Sequence, residues 1–173
     1  MSVRLTIDSR PIEVPHGATV LDAVNRLGIP LPQLCKDPDR APLGACRTCL
    51  VEVEGLRGFP ASCHLPARNG MVVRTVAPGV VRVRKGVLDL TLGMLTPDND
   101  WNGLGRFGEA CVPYGLLSSS YTALHRFSVD DSKPFFVLDR ESCILCGRCT
   151  IACDEIQRIG AISLIGRGHS EKV

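Results

Sequence analysis

Aromatic residues are scarce in this sequence, and so is any excess of one charge. Aromatic side chains are 5% of the 173 residues, and the 20 basic and 18 acidic side chains are interspersed, with a formal net charge of +2. Nucleic-acid binding needs a dense basic surface and gains from aromatic stacking platforms. The composition therefore argues against a nucleic-acid partner.

Long hydrophobic runs are also lacking. The most apolar later stretch, "GVLDLTLGML", is short and interrupted, whereas a membrane-spanning helix needs about 20 apolar residues. The start, "MSVRLTIDSRPIEV", alternates and carries Arg4, Asp8 and Arg10, as expected of a strand rather than a signal peptide. We expect no membrane span and a cytoplasmic location.

The sequence shows no recognisable catalytic machinery. No acid, base and nucleophile set stands out, and no glycine-rich dinucleotide fingerprint follows a predicted strand. We predict no catalytic residue in these 173 residues, so that any active site lies outside this chain.

Cysteine, by contrast, is abundant. The chain has nine cysteines, an odd number, in tight clusters. Disulfide frameworks belong to secreted chains, and the same density in a cytoplasmic chain indicates metal binding. We therefore expect metal sites rather than disulfides.

Local patterns predict an α+β fold in three segments. Residues 1–78 combine a hairpin turning at Ser9-Arg10, a helix capped by Thr19 and stopped by Gly28, a long loop, and strands at "CLVEVEG" and "MVVRTV". This is the order of a β-grasp ferredoxin. Residues 79–121 are predicted to form a helical connector, although "VVRVRKGVLDLTLGML" also has strand character. Residues 122–173 place a cysteine motif on a loop entering a short helix, followed by a strand at "AISLIGRG".

The first cysteine set has the spacing C-x10-C-x2-C-x13-C. A [2Fe–2S] cluster takes four thiolates, and plant-type ferredoxins use a related but different spacing. Gly44 lets backbone amides approach the sulfurs, and Arg47 adds positive charge beside an anionic cluster. A four-cysteine zinc site is the alternative, but zinc usually takes two C-x2-C knuckles and only one is present. The predicted ligands are Cys35, Cys46, Cys49 and Cys63.

The second cysteine set, in "SCILCGRCTIACDEIQ", has the spacing C-x2-C-x2-C-x3-C. This run is typical of a ferredoxin-type [4Fe–4S] site, in which the fourth cysteine normally binds a different cluster. The predicted ligands are Cys143, Cys146, Cys149 and Cys153. The identity of the fourth ligand stays open, because Cys153 either completes this cluster or binds a second cluster.

The motifs together resemble a known family. "TVLDAVNRLGIPLPQLC", "APLGACRTCLVEVEG" and "CILCGRCTIACDEIQ" are similar to the N-terminal iron–sulfur region of four proteins: the complex I large iron–sulfur subunit, the diaphorase iron–sulfur subunit of NAD-reducing hydrogenases, [FeFe]-hydrogenase, and the NAD-dependent formate dehydrogenase α subunit. The resemblance implies electron transfer between a flavin/NAD-binding diaphorase-type subunit and a catalytic subunit. "CGRCTIACDEIQ" favours a formate dehydrogenase with a molybdenum- or tungsten-pterin site. A hydrogenase or complex I-like NADH dehydrogenase is the alternative, and a zinc-stabilised interaction protein is a remote one.

The middle of the chain departs from this family. The family usually has a further cluster held by H-x3-C-x2-C-x5-C, but "LTLGMLTPDNDWNGLGRFGEACVPYGL" has no histidine and only Cys111. We predict that this cluster is lost and that Cys111 is a buried apolar residue. The resemblance also implies a second cysteine motif beyond Val173, which leads us to expect a fragment, a split gene product or part of a larger subunit.

Overall fold

The computed structural model describes residues 1–95, 105–121 and 127–173, and it divides into two compact units, Met1–Val87 and Leu88–Val173. Part of the predicted connector and the start of the predicted third segment lie outside the described residues. The division into three segments stays a prediction.

The first unit opens with a β-hairpin. Strand β1 (Ser2–Ile7) pairs antiparallel with β2 (Arg10–Pro15). The turn residues Asp8 and Ser9 have φ values of 46° and 65°, the left-handed backbone that a two-residue hairpin turn with the right twist requires. The predicted turn at Ser9-Arg10 was wrong by one residue, because Arg10 already belongs to the ladder.

The next element, helix α1 (Val20–Arg26), begins and ends as predicted. The Thr19 hydroxyl accepts the Asp22 amide at 3.1 Å, and the Asp22 carboxylate accepts the Thr19 amide at 2.8 Å, which satisfies two orphan donors of the first turn. Gly28 follows the helix with φ 66°, a conformation that glycine adopts without a Cβ penalty. One face of α1 is buried: Val20, Leu21, Ala23 and Val24.

Two short strands complete a mixed sheet. Strands β3 (Glu52–Val53) and β4 (Val72–Arg74) pair antiparallel, β4 pairs parallel with β1, and the sheet order is β2-β1-β4-β3. The predicted order of hairpin, helix, long loop and strands is therefore confirmed, although both later strands are shorter than predicted.

The core of the first unit lies between α1, the sheet and the loops that carry the first cysteine set. Burying an aliphatic side chain of this kind contributes about 1.5–3 kcal/mol relative to leaving it exposed. Two predicted ligands, Cys49 and Cys63, belong to the same core cluster. Its fully buried members include Leu5, Ile7, Val14, Val51, Val73 and Val80.

Helix α2 (Pro78–Leu92) settles the ambiguity of the valine-rich stretch in favour of a helix. Val80, Arg84, Leu88 and Leu92 recur every four residues and are all buried, as expected of one helical face. Val83, by contrast, is 37% exposed. A buried arginine was not expected there; its guanidinium donates to the Thr75 carbonyl, which satisfies one of its N–H donors.

The second unit contains short helical elements before the second cysteine set. Helix α3 (Gly105–Cys111) runs into a 3₁₀ turn (Val112–Tyr114) that ends at Gly115 with φ 64°. Cys111 is 0% exposed, so its prediction as a buried residue is confirmed. Burial, with the nearby charge of Asp89, raises the pKa of the Cys111 thiol to about 11.

The rest of the second unit has little regular structure. Strands β5 (Asp130–Lys133) and β6 (Phe136–Leu138) form a hairpin. The strand predicted at "AISLIGRG" was wrong: within the described residues this stretch has one isolated bridge, between Ile165 and Lys172. Among the described residues, no helix is long and apolar enough to cross a membrane.

Candidate metal centre

The four cysteines of the first set lie on three segments. Cys35 follows α1 on the long loop, Cys46 and Cys49 precede β3, and Cys63 lies in a turn before β4. The Ser62 amide and hydroxyl both donate to the Cys49 carbonyl, at 3.0 and 2.7 Å. These bonds hold the Cys49 and Cys63 segments side by side.

The structure brings all four predicted thiols together, in two pairs. The Cys35 thiol shares a hydrogen bond with the Cys46 thiol, and the Cys49 thiol shares one with the Cys63 thiol. The Cys46 and Cys63 sulfurs also interact electrostatically. A [2Fe–2S] cluster takes four cysteine thiolates, and these two pairs supply that number.

Burial and mutual hydrogen bonding separate the pKa values of these thiols. The hydrogen bond from Cys35 lowers the pKa of Cys46 to about 5, and the same bond, with burial, raises the pKa of Cys35. Burial, followed by the charge of Cys49, raises the pKa of Cys63 to about 12. Several thiolates crowded here repel one another, and a bound cation offsets that repulsion.

Backbone amides point at two of the sulfurs. The amides of Ala45 and Cys46 donate to the Cys35 sulfur, and those of Thr48 and Cys35 donate to the Cys46 sulfur. Hydrogen bonds to sulfur stabilise negative charge on a cluster and tune its potential. The donor set therefore fits an iron–sulfur group.

The two residues predicted to assist the cluster, Gly44 and Arg47, both have left-handed backbone. Their φ values are 68° and 54°. A Cβ at Gly44 would lie 2.7 Å from the His64 ring, so the position suits glycine for two reasons. The backbone of His64, the residue after Cys63, lies in a turn, and its exposed ring contacts the cysteine loop at Gly44.

Thr48, between Cys46 and Cys49, is a residue that the sequence reasoning missed. It is 0% exposed, and its Oγ1 lies 3.1 Å from the Cys46 sulfur. The same oxygen accepts the Leu34 amide at 3.4 Å. The available signal was a residue with a hydroxyl between the two cysteines of the C-x2-C pair.

The second cysteine set follows the predicted order of loop and helix. Helix α4 (Arg148–Ile151) continues into a π-helical turn (Ala152–Ile156) that carries Cys153. The Cys153 sulfur accepts the Ala161 amide at 3.2 Å. Single π-turns within α-helices are frequent at functional sites.

The loop before α4 turns through two left-handed residues, Leu145 with φ 52° and Gly147 with φ 72°. This geometry lets the Leu145 amide donate to the Cys143 sulfur at 3.4 Å. Cys143, Cys146 and Cys153 are half-buried, and Cys149 is exposed. These amide–sulfur contacts fit a cluster-binding loop, and the ligand roles stay predictions.

Among the described residues, no three His, Cys, Asp or Glu side chains surround a point for one metal ion. In an iron–sulfur cluster the protein ligands are distributed over several irons, so they need not surround one point. Whether each cysteine set fits a cluster is therefore judged from the sulfur contacts described above.

Comparison with known proteins places residues 1–78 in a family. The family described as "2Fe-2S iron-sulfur cluster binding domain" matches residues 1–78. A crystal structure of an NAD⁺-reducing [NiFe]-hydrogenase in the H2-reduced state is similar over 99% of this chain and 74% of that chain, with 30% identity and a TM-score of 0.86. Residues 1–78 therefore form a 2Fe-2S ferredoxin-type domain of this family. This membership supports iron–sulfur chemistry in the first unit over the zinc alternative.

Relatives of this chain include subunits of an NADH-quinone oxidoreductase and of an NADP-reducing hydrogenase. A subunit of the NADH-quinone oxidoreductase of Rhizobium meliloti is 36% identical over 168 residues, covering 94% of this chain and 20% of the relative. The NADP-reducing hydrogenase subunit HndD of Solidesulfovibrio fructosivorans is 33% identical over 181 aligned positions, covering 98% of this chain and 30% of the relative. The chain thus spans only 20% to 30% of the length of these relatives. The predicted resemblance to complex I and hydrogenase proteins is confirmed, and the choice of formate dehydrogenase stays a prediction.

Proposed function

We propose that this chain carries electrons one at a time, as the iron–sulfur module of a multisubunit NAD(P)-linked oxidoreductase. The observation that carries the proposal is the pairing of Cys35 with Cys46 and of Cys49 with Cys63, inside a region that matches a [2Fe–2S] family. We assign these four cysteines as the ligands of a [2Fe–2S] cluster within a β-grasp domain.

The chain's own residues give this site its properties. When bound, the cluster supplies reversible one-electron chemistry. Cys35, Cys49 and Cys63 are at most 4% exposed, so the protein excludes water from most of the ligand set. The amides at Ala45 and Cys46 offset the negative charge that reduction adds.

We assign Cys143, Cys146 and Cys149 as ligands of a [4Fe–4S] cluster. Cys153 is either its fourth ligand or a ligand of a second cluster, as is usual for this spacing. The Ala161 amide 3.2 Å from the Cys153 sulfur supports Cys153 as a thiolate ligand, because an N–H donor stabilises that form in either case.

The proposed partners are a flavin- and NAD-binding subunit and a catalytic subunit. Relatives named as subunits of an NADH-quinone oxidoreductase and an NADP-reducing hydrogenase favour a quinone-linked or hydrogen-linked catalytic partner. The formate site and the cytoplasmic location predicted from the sequence stay predictions.

The test is the metal content of the full chain after anaerobic reconstitution with iron and sulfide. Iron and acid-labile sulfide are measured per chain, with low-temperature EPR after dithionite reduction. We expect Cys46→Ser to remove the [2Fe–2S] signal and to leave any [4Fe–4S] signal, because Cys46 is a proposed ligand of the first cluster only. Cys111→Ala is the matched control, since its buried thiol is not a proposed ligand, and it should keep the full signal.

Two outcomes would contradict the proposal, and a third would show that a lost signal does not identify a ligand. A wild-type chain that binds zinc in place of iron has no electron-carrying role. A Cys46→Ser variant with an unchanged [2Fe–2S] signal has different ligands. A Cys111→Ala variant that loses the signal shows that the loss reflects general misfolding rather than a missing ligand.

A further inference from the structure

We infer that Thr48 is a positioning residue that raises the reduction potential of the [2Fe–2S] cluster through the Cys46 sulfur. The inference rests on the proposed function, because it needs Cys46 to be a ligand. Thr48 is 0% exposed and its Oγ1 is 3.1 Å from the Cys46 sulfur. A buried hydroxyl this close to a sulfur is either a donor to it or an acceptor from it.

The direction of this hydrogen bond follows from the chemistry of a ligand. A cluster-bound cysteine is a thiolate and has no S–H to donate, so the hydroxyl is the donor of the pair. The Leu34 amide, 3.4 Å away, donates to the same oxygen. A hydroxyl has one hydrogen and two lone pairs. The Leu34 contact uses a lone pair and leaves the hydrogen for the sulfur.

The position of Thr48 also links the two ligands of one pair. Leu34 immediately precedes Cys35, and Thr48 lies two residues after Cys46. The hydroxyl therefore joins the long loop to the C-x2-C turn at the point where the Cys35 and Cys46 thiols meet. Because the group is fully buried, water does not replace the donor when the hydroxyl is removed, and the low local dielectric strengthens the contact.

The effect on the potential has a definite sign. Reduction adds one electron to the cluster and increases the negative charge on its sulfurs; no bond forms or breaks, and the hydroxyl proton stays on Thr48. A donor at 3.1 Å stabilises the more negative, reduced state more than the oxidised state. Its removal lowers the midpoint potential.

The experiment compares midpoint potentials of the reconstituted full chain by EPR-monitored redox titration. Thr48→Val keeps the branched shape and removes the hydroxyl, and we expect a shift to a more negative potential. Thr48→Ser keeps the hydroxyl and should retain the wild-type potential. Thr75→Val is the matched control: Thr75 is 1% exposed, and its amide and hydroxyl bond to Asp8 rather than to a cysteine. It should lose stability without a shift in potential.

Deuterium exchange gives a spectroscopic signal that would not change if Thr48 had only a structural role. We expect the Fe–S stretching frequencies in resonance Raman spectra to shift in D2O for the wild type and Thr48→Ser, by more than for Thr48→Val. The difference between the variants isolates the hydroxyl from the backbone amides, which all three proteins share.

The outcomes separate this inference from the proposed function. If the wild type binds no [2Fe–2S] cluster, the proposed function fails first. If all variants load the cluster and Thr48→Val keeps the wild-type potential, the inference about Thr48 is overturned while the ligand assignment stands. An equal shift in Thr75→Val also overturns it. If Thr48→Val fails to load, Thr48→Ala is titrated instead, and failure of both assigns Thr48 a structural role only.

Discussion

Gly44 offers a test of how backbone conformation supports the cysteine loop. Gly44→Ala introduces a Cβ at φ 68°, 2.7 Å from the Cδ2 and Nε2 atoms of His64. Left-handed backbone costs a residue with a Cβ about 1–2 kcal/mol. The ring contact adds less, because His64 is exposed and its ring can rotate away. We therefore expect the backbone term to dominate the loss of stability.

Two further variants separate the backbone term from the ring contact. Gly58 has φ 79°, and no atom lies within 4 Å of the position that a Cβ would take there, so Gly58→Ala measures the backbone cost alone. We expect Gly44→Ala and Gly58→Ala each to lower the free energy of unfolding by about 1–2 kcal/mol. Adding His64→Ala to Gly44→Ala should restore only a small part of the loss.

The assay is urea unfolding of the full chain followed by circular dichroism, with iron per chain measured in parallel. Only Gly44→Ala should also reduce the iron content, because Gly44 directs the following amides, at Ala45 and Cys46, towards the Cys35 sulfur. Wild-type stability in Gly44→Ala would refute the backbone argument. Full rescue by His64→Ala would show that the ring contact, not the backbone, sets the cost.

Two other predictions test the second unit and helix α2. The pKa of Cys111, raised to about 11 from a usual value of 9.0, means that the folded state holds this proton more tightly than the unfolded state. The protonated thiol therefore contributes to stability below pH 9, and this contribution is lost as the pH rises towards 11. We expect urea unfolding from pH 8 to 11 to show the stability of the wild type falling relative to that of Cys111→Ala. A difference between the two proteins that does not depend on pH would contradict this prediction. We expect Val80→Ala to lower the free energy of unfolding by about 2 kcal/mol, because Val80 is 0% exposed. Val83 is 37% exposed, so Val83→Ala should change the free energy of unfolding by less than about 0.5 kcal/mol. Equal losses in the two variants would show that the buried face of α2 is misassigned.

Local features of the first unit were predictable because their causes are local. The Thr19 cap, the stop at Gly28 and the alternation of β1 depend on residues within one turn or one strand of each other. The hairpin turn was displaced by one residue because Pro11, a strong turn signal, lies inside β2. A proline is tolerated at the start of an edge strand, and β2 lies at the edge of this sheet.

The predictions failed where burial depends on distant neighbours. Helical periodicity alone does not say which of several apolar stripes faces the core, and α2 buries Arg84 while it exposes Val83. The apolar stretch near Ile165 has the composition of a strand but forms a single bridge. A strand needs a partner along its length, and within the described residues this stretch has one only at Lys172.

The sequence by itself predicted the kind of metal site, because that prediction depends on cysteine ligands and their spacing. The number, kind and spacing of its cysteines predict iron–sulfur sites, since thiolate ligands and short loops are local properties. Only the tertiary structure decided which thiols meet, because Cys35 and Cys63 come from separate loops that are joined through the fold. It also decided that Thr48 meets the Leu34 amide and that the His64 ring contacts the loop at Gly44. Contacts between residues far apart in sequence depend on packing, and packing is a property of the whole chain rather than of any motif.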